Sequence, residues 1–295
     1  MERSSPEFDA VQSAEATFIL RQNMNEAMIV PLNRGDAAIY SSAAPAQGEE
    51  PRPCEDAALL IPVDEYRSVL AVADGMGGQP CGAMAASLAV QAINEAVQTA
   101  KAQHESSGNN GSGSSLRDAI LTGFEDANRA VTDIGVGAAT TLAVVEIQRD
   151  SIRPYHVGDS FIMLIGNRGR IKLQTMSHSP VGYAVESGLL AEREAMHHED
   201  RHLVSNMVGS PEMRIDIGPT IMLGETSRDT LLIASDGLSD NLHTHEIVEL
   251  TRKGPLQRAA ESLATLARQR MISQVDGEPS KPDDLTFILW RRWGK

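Results

Sequence analysis

The sequence is poor in cysteine and in long apolar runs. Only two cysteines, Cys54 and Cys81, occur among 295 residues; this is too few for a disulfide framework and agrees with a reducing compartment. No apolar run approaches the roughly 18 residues that span a bilayer. The N-terminal stretch MERSSPEFDA lacks the basic start and apolar core of a secretory signal. These absences argue against a disulfide-rich secreted protein and an integral membrane protein, so the expected location is the cytoplasm.

Positive charge is also scarce. The chain has 26 Lys and Arg residues against 40 Asp and Glu residues, which gives a formal net charge of -14. This balance argues against nucleic acid or an anionic membrane as the main partner. A phosphorylated substrate remains compatible with it, because a bound divalent cation can dominate the local electrostatic field.

Strand and helix patterns occur in groups. We treat residues 1–30, which show mixed polarity and no clear capping or turn signal, as an N-terminal extension of uncertain order. A domain over residues 31–295 follows. Short apolar segments typical of strands precede two helical stretches, 82–103 and 115–134, which a low-complexity connector at 104–115 links.

In the second half of the domain, the spacing of apolar residues changes from a helical period to one typical of short strands. Four short segments between residues 140 and 175 predict a meander of antiparallel hairpins, and two more helical stretches precede the final strand. Helix pairs that divide groups of strands indicate two sheets packed face to face, whereas a doubly wound parallel sheet would alternate strand and helix regularly. We therefore predict an α+β fold, a four-layer α-β-β-α sandwich of two mainly antiparallel sheets flanked by helix pairs.

Acidic residues stand at the ends of the apolar segments. In VADGMGGQP, residues 72–80, a run of small apolar residues ends on Asp74 and glycines follow. One interpretation is a strand-to-helix turn with Asp74 as the N-cap; the other is a metal site, in which glycines let an ion approach the backbone. The same pattern recurs at Glu55-Asp56, Asp159, Asp236 and Asp283-Asp284.

Convergence of these carboxylates would be unfavourable without cations. Like charges a few ångströms apart cannot all ionise in surroundings that are poor in water. Ligand sets made only of oxygen favour Mg²⁺ or Mn²⁺, whereas Zn²⁺ prefers cysteine and histidine. The pattern therefore predicts a site for magnesium or manganese if the segments meet.

Seven motifs occur in an order and spacing similar to those of one known family. They are CEDA, VADGMGG, AATTLAVVE, HVGDSF, MSHSP, LIASDGLSDNL and KPDDLTFIL. Together they resemble the PPM, or protein phosphatase 2C, family of metal-dependent protein phosphatases, over a region from about Asp36 to Trp290. Seven motifs in register favour the metal-site interpretation of Asp74 over the cap.

The resemblance implies a centre for two Mn²⁺ or Mg²⁺ ions. Asp74 would bridge the two ions, and the carbonyl group of Gly75 would lie beside the second. Asp236 and Asp283 would complete the carboxylates of the first ion, and Glu55 would supply the carboxylate of the second.

The resemblance also implies roles around this centre. Asp56 would orient metal-bound water, and Asp159 and Asp240 match the residues that hold a weaker third ion in many members. Arg52 is the candidate for binding phosphate, although it lies one residue out of register with the arginine of the family. Asp284 stands where the family often has asparagine, and we expect a structural role for it.

Other positions depart from the family pattern without removing a primary metal ligand. Phe161 replaces the arginine that usually follows GDS, and Ser177 replaces the aspartate that usually precedes His178. Met76 stands where animal members have a histidine proposed as general acid, and bacterial members commonly have methionine there. His178 is either a proton donor or a structural residue of a turn.

The implied activity is hydrolysis of phosphoserine and phosphothreonine in proteins through a metal-bridging water. The expected substrate is a phosphorylated protein, such as a Ser/Thr kinase or its targets, and we expect neither nucleic acid nor a membrane as partner and a monomeric chain. Two alternatives stay open: a catalytically weak pseudophosphatase that binds partners, and a phosphatase of a small metabolite on the same fold. Residues 181–215 are predicted to form a flap beside the metal site that helps to choose substrates.

Overall fold

The structure is a computed structural model that describes residues 16–46, 52–76, 81–107, 115–135, 137–196, 198–224 and 227–293. The strands are β1 (Thr17–Leu20), β2 (Met28–Leu32), β3 (Gly35–Ser42), β4 (Ala57–Asp64), β5 (Arg67–Ala73), β6 (Gly75–Met76), β7 (Ala139–Thr140), β8 (Leu142–Gln148), β9 (Ser151–Val157), β10 (Phe161–Ile165), β11 (Ile171–Gln174), β12 (Asp216–Ile217), β13 (Ile221–Met222), β14 (Thr230–Ala234) and β15 (Leu285–Arg292). The α-helices are α1 (Cys81–Ser107), α2 (Leu116–Ile134), α3 (Pro180–Glu186), α4 (Glu192–Ala195), α5 (Asp236–Ser239), α6 (Thr244–Thr251) and α7 (Leu256–Ile272). A short 3₁₀ helix covers Glu199–His202.

Two antiparallel sheets contain nearly all of these strands. The first has the order β1-β4-β5-β8-β9-β12, and β13 also pairs with β9; the second has the order β11-β10-β14-β15-β3-β2. Strands β6 and β7 form a separate small pair. Within the described ranges, no helix combines the length and the apolar character that crossing a membrane requires.

Side chains of each strand alternate between two cores, because successive residues point to opposite faces of a sheet. Leu59 of β4 packs in a cluster with residues of α1 and α2, whereas its neighbour Leu60 belongs to the cluster between the sheets. In β15, Phe287 packs in a cluster with residues of α6 and α7, and Ile288 faces the other sheet. The layers therefore run α-β-β-α, and the predicted fold is confirmed.

The first helix pair is tightly packed. Ser115 caps α2: its Oγ accepts a hydrogen bond from the Asp118 amide (3.1 Å), and the Asp118 carboxylate accepts one from the Ser115 amide (3.3 Å). Phe124 on the buried face of α2 has no exposed surface. Most of the predicted connector between the two helices, residues 108–114, lies outside the described residues.

The sheets include chain that the sequence analysis left in the N-terminal extension. Residues 17–20 pair with β4 at the edge of the first sheet, and residues 28–32 pair with β3 at the edge of the second. The core Ile19 is 4% exposed. Short edge strands are buried on one side only, and they therefore carry a weak sequence pattern. Residues 1–15 of the extension lie outside the described residues.

The predicted single meander between residues 140 and 175 is wrong in one connection. Strands β8 and β9 form a hairpin in the first sheet, and β10 and β11 form a hairpin in the second. The chain crosses between the sheets through Gly158, Asp159 and Ser160, where Gly158 has a φ of +103°. The period of two identifies each strand but not the sheet it joins. Asp159 therefore lies at a crossover, next to both sheets.

Candidate metal centre

The acidic strand ends meet at one edge of the sandwich. Asp74 follows β5 and Asp56 precedes β4, and these two strands pair antiparallel, so their acidic ends lie at the same edge of the first sheet. Asp236 follows β14 and Asp283 lies just before β15, a second antiparallel pair whose acidic ends share an edge of the other sheet. The Ser235 hydroxyl donates a hydrogen bond to Asp56 Oδ2 (2.9 Å) and joins the two edges.

These carboxyl groups are buried and lie close enough to raise one another's pKa values. Burial raises the pKa of Asp74 well above its usual value, and the charges of Asp56, Asp236, Asp283 and Asp159 raise it further. Burial and the charge of Asp236 raise the pKa of Asp159 to about 8. Groups from both sheets and from the crossover thus act on each other, and each resists ionisation unless a cation is nearby.

A small space lined by oxygen atoms and glycine lies beside Glu55. A β-carbon on Gly82, near the start of α1, would collide with Glu55 Oε2 and would lie 2.8 Å from the carbonyl oxygen of Gly75. These two oxygen atoms, both candidate metal ligands, therefore face one small space that glycine at position 82 leaves open. Among the described residues, the buried Oδ1 of Asp56 has no hydrogen-bond partner. An oxygen-only set with an unpaired buried oxygen fits Mg²⁺ or Mn²⁺.

Thr141 fixes the backbone of Asp74 relative to the crossover. The Asp74 amide donates to Thr141 Oγ1 (2.9 Å), and the Thr141 amide donates to the Asp74 carbonyl (2.9 Å). The same hydroxyl lies 2.6 Å from Ser160 Oγ, next to Asp159. Sequence reasoning assigned no role to Thr141. The sequence signal for such a role is the Thr140-Thr141 pair, which directly precedes a strand in AATTLAVVE, one of the seven motifs that carry the family resemblance.

A lysine that sequence reasoning missed lies among the carboxylates. Lys281 Nζ donates to Asp240 Oδ2 (2.6 Å) and Asp236 Oδ2 (3.1 Å), and it lies 2.9 Å from Asp283 Oδ2. Burial disfavours the charged ammonium group, but the three carboxylates outweigh this effect and raise the pKa of Lys281. The lysine therefore stays charged. Its position two residues before Asp283 was the available signal.

Arg52 reaches the centre despite its shift in register. Its Nη1 donates to Glu55 Oε1 (3.1 Å), its Nη2 donates to Asp284 Oδ1 (3.0 Å), and its side chain is 41% exposed. Asp284 also accepts hydrogen bonds from the amides of Glu55 (2.6 Å) and Ala44 (2.8 Å). These bonds hold the chain beside Glu55 and leave the guanidinium group at a solvent-accessible rim.

His178 lies at the edge of the centre and not within it. Its Nδ1 accepts hydrogen bonds from the Gly158 amide (3.1 Å) and from the Asn206 side chain (2.9 Å), and its ring stacks on His156 at 4.4 Å. Burial, followed by the charge of His156, lowers the pKa of His178 to about 4. The ring is therefore neutral near pH 7, and it connects Asn206 of the predicted flap to the crossover that holds Asp159.

The predicted flap contains α3, α4 and the 3₁₀ helix. A cavity of about 230 Å³ is lined by Val181 and Arg201 of this segment together with the acidic residues Asp159, Asp236 and Asp240. The segment thus borders a cavity that the acidic cluster also lines.

Hydrogen exchange is expected to distinguish this segment from the core. Amides of residues 181–215 should exchange much faster than those of β14, because many side chains of the segment, such as Leu189 at 84% exposure, are solvated. Peptide-resolved exchange followed by mass spectrometry measures this. Protection as high as that of β14 would contradict a mobile flap.

The stability of the metal-free protein is expected to fall as pH rises. The carboxyl groups of Asp74, Asp159, Asp236 and Asp283 have higher pKa values in the folded chain than the roughly 3.9 of an unfolded one. The folded state therefore binds more protons, and the free energy of unfolding decreases up to the folded pKa, which is about 8 for Asp159.

Denaturant unfolding in a chelator at several pH values between about 7.5 and 8.5 measures this slope. In that window the buried histidines, whose pKa values are lowered, are neutral in the folded state and largely neutral in the unfolded one. Saturating Mn²⁺ should remove most of the dependence of the free energy of unfolding on pH. A metal-free stability that is flat or rises with pH would contradict the electrostatic description of the centre.

The structure combines a four-layer sandwich with a cluster of carboxylates at an edge shared by both sheets. This is the architecture expected from the resemblance of the seven motifs to metal-dependent protein phosphatases. The chain belongs to the protein phosphatase 2C family, whose model matches residues 48–274.

Relatives support this membership. The chain is 29% identical over 208 residues to the protein phosphatase PhpP of Streptococcus pneumoniae, covering 68% of this chain and 80% of that protein. It superimposes on a serine/threonine phosphatase of S. agalactiae with a TM-score of 0.70 and 26% identity, over 88% of this chain and 100% of that one. The catalytic domain of the phosphatase PstP, solved with two manganese ions, shares the fold at 23% identity and a TM-score of 0.63, over 86% and 96% of the two chains.

Proposed function

We propose that this protein is a metal-dependent phosphatase that hydrolyses phosphoserine and phosphothreonine in proteins. The observation that carries the proposal is the meeting of Asp56, Asp74, Asp236 and Asp283 at one edge of both sheets, where burial and the charges of neighbouring carboxylates raise their pKa values. Membership in the protein phosphatase 2C family, together with the serine/threonine phosphatase activity named for its relatives, supports this reaction class.

The chain offers oxygen ligands for two divalent cations, either Mn²⁺ or Mg²⁺. Asp74 would contact both, Asp236 and Asp283 the first, and Glu55 with the Gly75 carbonyl the second. Two bound cations supply an activated water at neutral pH and offset negative charge on the phosphate oxygens. The two manganese ions in the related PstP domain support this stoichiometry.

Residues of the chain supply positioning around these ions. Asp56 is 1% exposed, and one of its oxygens has no partner within the part of the chain that the structure describes; this oxygen would accept a hydrogen bond from water in the centre. Arg52 would bind phosphate oxygens through its guanidinium group, which already lies at the rim between Glu55 and Asp284. Positioning and electrostatics dominate phosphoryl transfer, so no side-chain nucleophile is required.

The protein substrate is proposed to be a Ser/Thr kinase or a target of one, acted on by a monomeric chain. A panel of phosphoserine and phosphothreonine peptides, beside small phosphorylated metabolites, tests the substrate class in Mn²⁺ with and without chelator. Metal-dependent release of phosphate is expected chiefly from the peptides. Preference for a metabolite would reject a protein substrate, and no turnover of any phosphate ester would indicate a partner-binding pseudophosphatase.

Arg52→Ala is expected to raise KM for phosphopeptides about tenfold and to change kcat much less. A charge-assisted hydrogen bond contributes about 1.5 kcal/mol or more, and the exposure of Arg52 places it at the low end of that range. Steady-state kinetics measures the changes in KM and kcat separately. Arg129→Ala, at an exposed arginine on α2, is the control. An unchanged KM would assign phosphate binding to another group.

A further inference from the structure

Lys281 forms a fixed part of the acidic centre. Its ammonium nitrogen lies 2.6–3.1 Å from one oxygen each of Asp236, Asp240 and Asp283. Over the described ranges, no other basic side chain forms an ion pair with any of these three carboxylates. The lysine side chain is 24% exposed, so most of it is enclosed by the protein.

The backbone at Lys281 is held on both sides by one buried residue. The Lys281 amide donates to Asn241 Oδ1 (2.9 Å), and Asn241 Nδ2 donates to the Lys281 carbonyl (2.8 Å). Asn241 has no exposed surface, and its Nδ2 also donates to the Gly237 carbonyl (2.9 Å), one residue after Asp236. Pro282 then restricts the next φ angle. The backbone that carries the ammonium group is therefore held in place by hydrogen bonds to a buried side chain and is not part of a flexible surface segment.

The negative charges around the Lys281 ammonium group indicate its role. The carboxylates of Asp236, Asp240 and Asp283 bring ligand oxygens within 4.8 Å of one another, a spacing that could hold a metal ion. Lys281 neutralises one of their three negative charges. It contacts Oδ2 of each carboxylate, and the shortest of the three contacts is the one to Asp240 (2.6 Å). The Oδ1 of Asp283 accepts a hydrogen bond from the Asp284 amide (2.9 Å). Asp159 also lies within electrostatic reach of both Asp240 and Lys281.

We propose that Lys281 is a built-in cation of the centre, and that its ammonium group takes the position beside Asp240 where a weak third divalent ion would otherwise bind. This inference depends on the proposed metal centre but not on the identity of the substrate. It has two consequences. The two ions at Asp74 remain the tightly bound ones, and the metal-free protein keeps part of its charge balance through the lysine.

Metal binding by two variants tests the proposal. Lys281→Met keeps the length and removes the charge, and Lys281→Arg keeps a positive charge. Equilibrium dialysis against Mn²⁺, with bound manganese counted by mass spectrometry, gives stoichiometry and affinity for each. Lys281→Met is expected to bind one more Mn²⁺ per chain than the parent, or to bind its weakest ion about tenfold more tightly, because a like charge at contact distance is removed. Lys281→Arg should match the parent.

Thermal unfolding in EDTA provides a second readout. The Tm of Lys281→Met should fall below that of the parent and should rise more on addition of Mn²⁺, because its three carboxylates lack an internal counter-charge. If Lys281→Met does not fold without metal, Lys281→Gln refolded in Mn²⁺ provides the binding isotherm.

Each outcome is decisive. Equal stoichiometry and affinity in the parent and Lys281→Met would overturn the proposal and leave the metal centre intact. A parent protein that binds three ions with similar affinity would also overturn it. A parent protein that binds no Mn²⁺ would overturn the metal centre itself, and the inference with it.

Discussion

Asp74→Asn is expected to abolish phosphatase activity at every practical Mn²⁺ concentration. Asp74 follows β5 at the point where both sheets meet, and its carboxyl group interacts with Asp56, Asp159, Asp236 and Asp283. An amide is isosteric but neutral, so the substitution removes charge from both proposed ions at once. We expect kcat to fall by at least about a thousandfold, since metal ions supply several kcal/mol of transition-state stabilisation.

Two other substitutions provide the matched comparison. Asp236→Ala removes a ligand of the first ion and should resemble Asp74→Asn. Asp159→Ala removes a carboxylate that interacts with Asp236, Asp240 and Lys281 beside the proposed ions, and it should slow turnover while the two-ion core stays loaded. All three variants should fold, because loss of one carboxylate relieves repulsion in the metal-free state. Activity against metal concentration for the parent and the three variants measures this; near-parental activity of Asp74→Asn, with metal still required, would contradict the bridging assignment.

Gly82→Ala is expected to weaken binding of the second ion about tenfold to hundredfold with little loss of fold stability. The new methyl group would overlap Glu55 Oε2 and press on the Gly75 carbonyl, which are the two proposed protein ligands of that ion. Overpacking of this kind costs about 1–3 kcal/mol, which corresponds to that loss in affinity. Alanine also favours the helix by about 1 kcal/mol relative to glycine, and this offsets part of the strain in the metal-free fold.

Manganese titration followed by calorimetry, beside denaturant unfolding in EDTA, separates the two effects. Gly224→Ala is the control, because among the described residues a methyl group there approaches Ser227 Cβ alone, at 3.9 Å, and lies outside the centre. Parental Mn²⁺ affinity in Gly82→Ala would show that the space between Glu55 and Gly75 is not a metal site. Equal losses in both glycine variants would indicate a non-specific effect.

Much of the acidic centre could be predicted from the sequence because its candidate ligands follow a local rule. An apolar strand that ends on an acidic residue identifies Asp74 and Asp236, and antiparallel pairing of neighbouring strands brings such ends together. The four-layer fold follows from groups of strands divided by helix pairs, and the helix signals at Ser115 and along α2 are local as well. These features depend on residues that are close in sequence.

Features that depend on distant contacts were not predictable in the same way. The sheet that β10 joins is set by its pairing with β14, about 70 residues away, and this pairing turned an expected hairpin into the crossover at Asp159. The ion pairs of Lys281 require α5 and the loop before β15 to meet, and spacing along the chain does not reveal that. The edge strand at residues 17–20 is stabilised by β4, and its own four residues carry too little pattern to identify it.

The most direct test of the central claim, that the shared edge of the two sheets is a catalytic metal centre, is a parallel titration of bound Mn²⁺ and phosphopeptide hydrolysis on chelator-treated protein. We predict no hydrolysis in the metal-free protein and a rate that rises together with the binding of two Mn²⁺ ions per chain. Phosphopeptide hydrolysis that persists after the metal has been removed, or Mn²⁺ binding that changes no rate, would contradict the account.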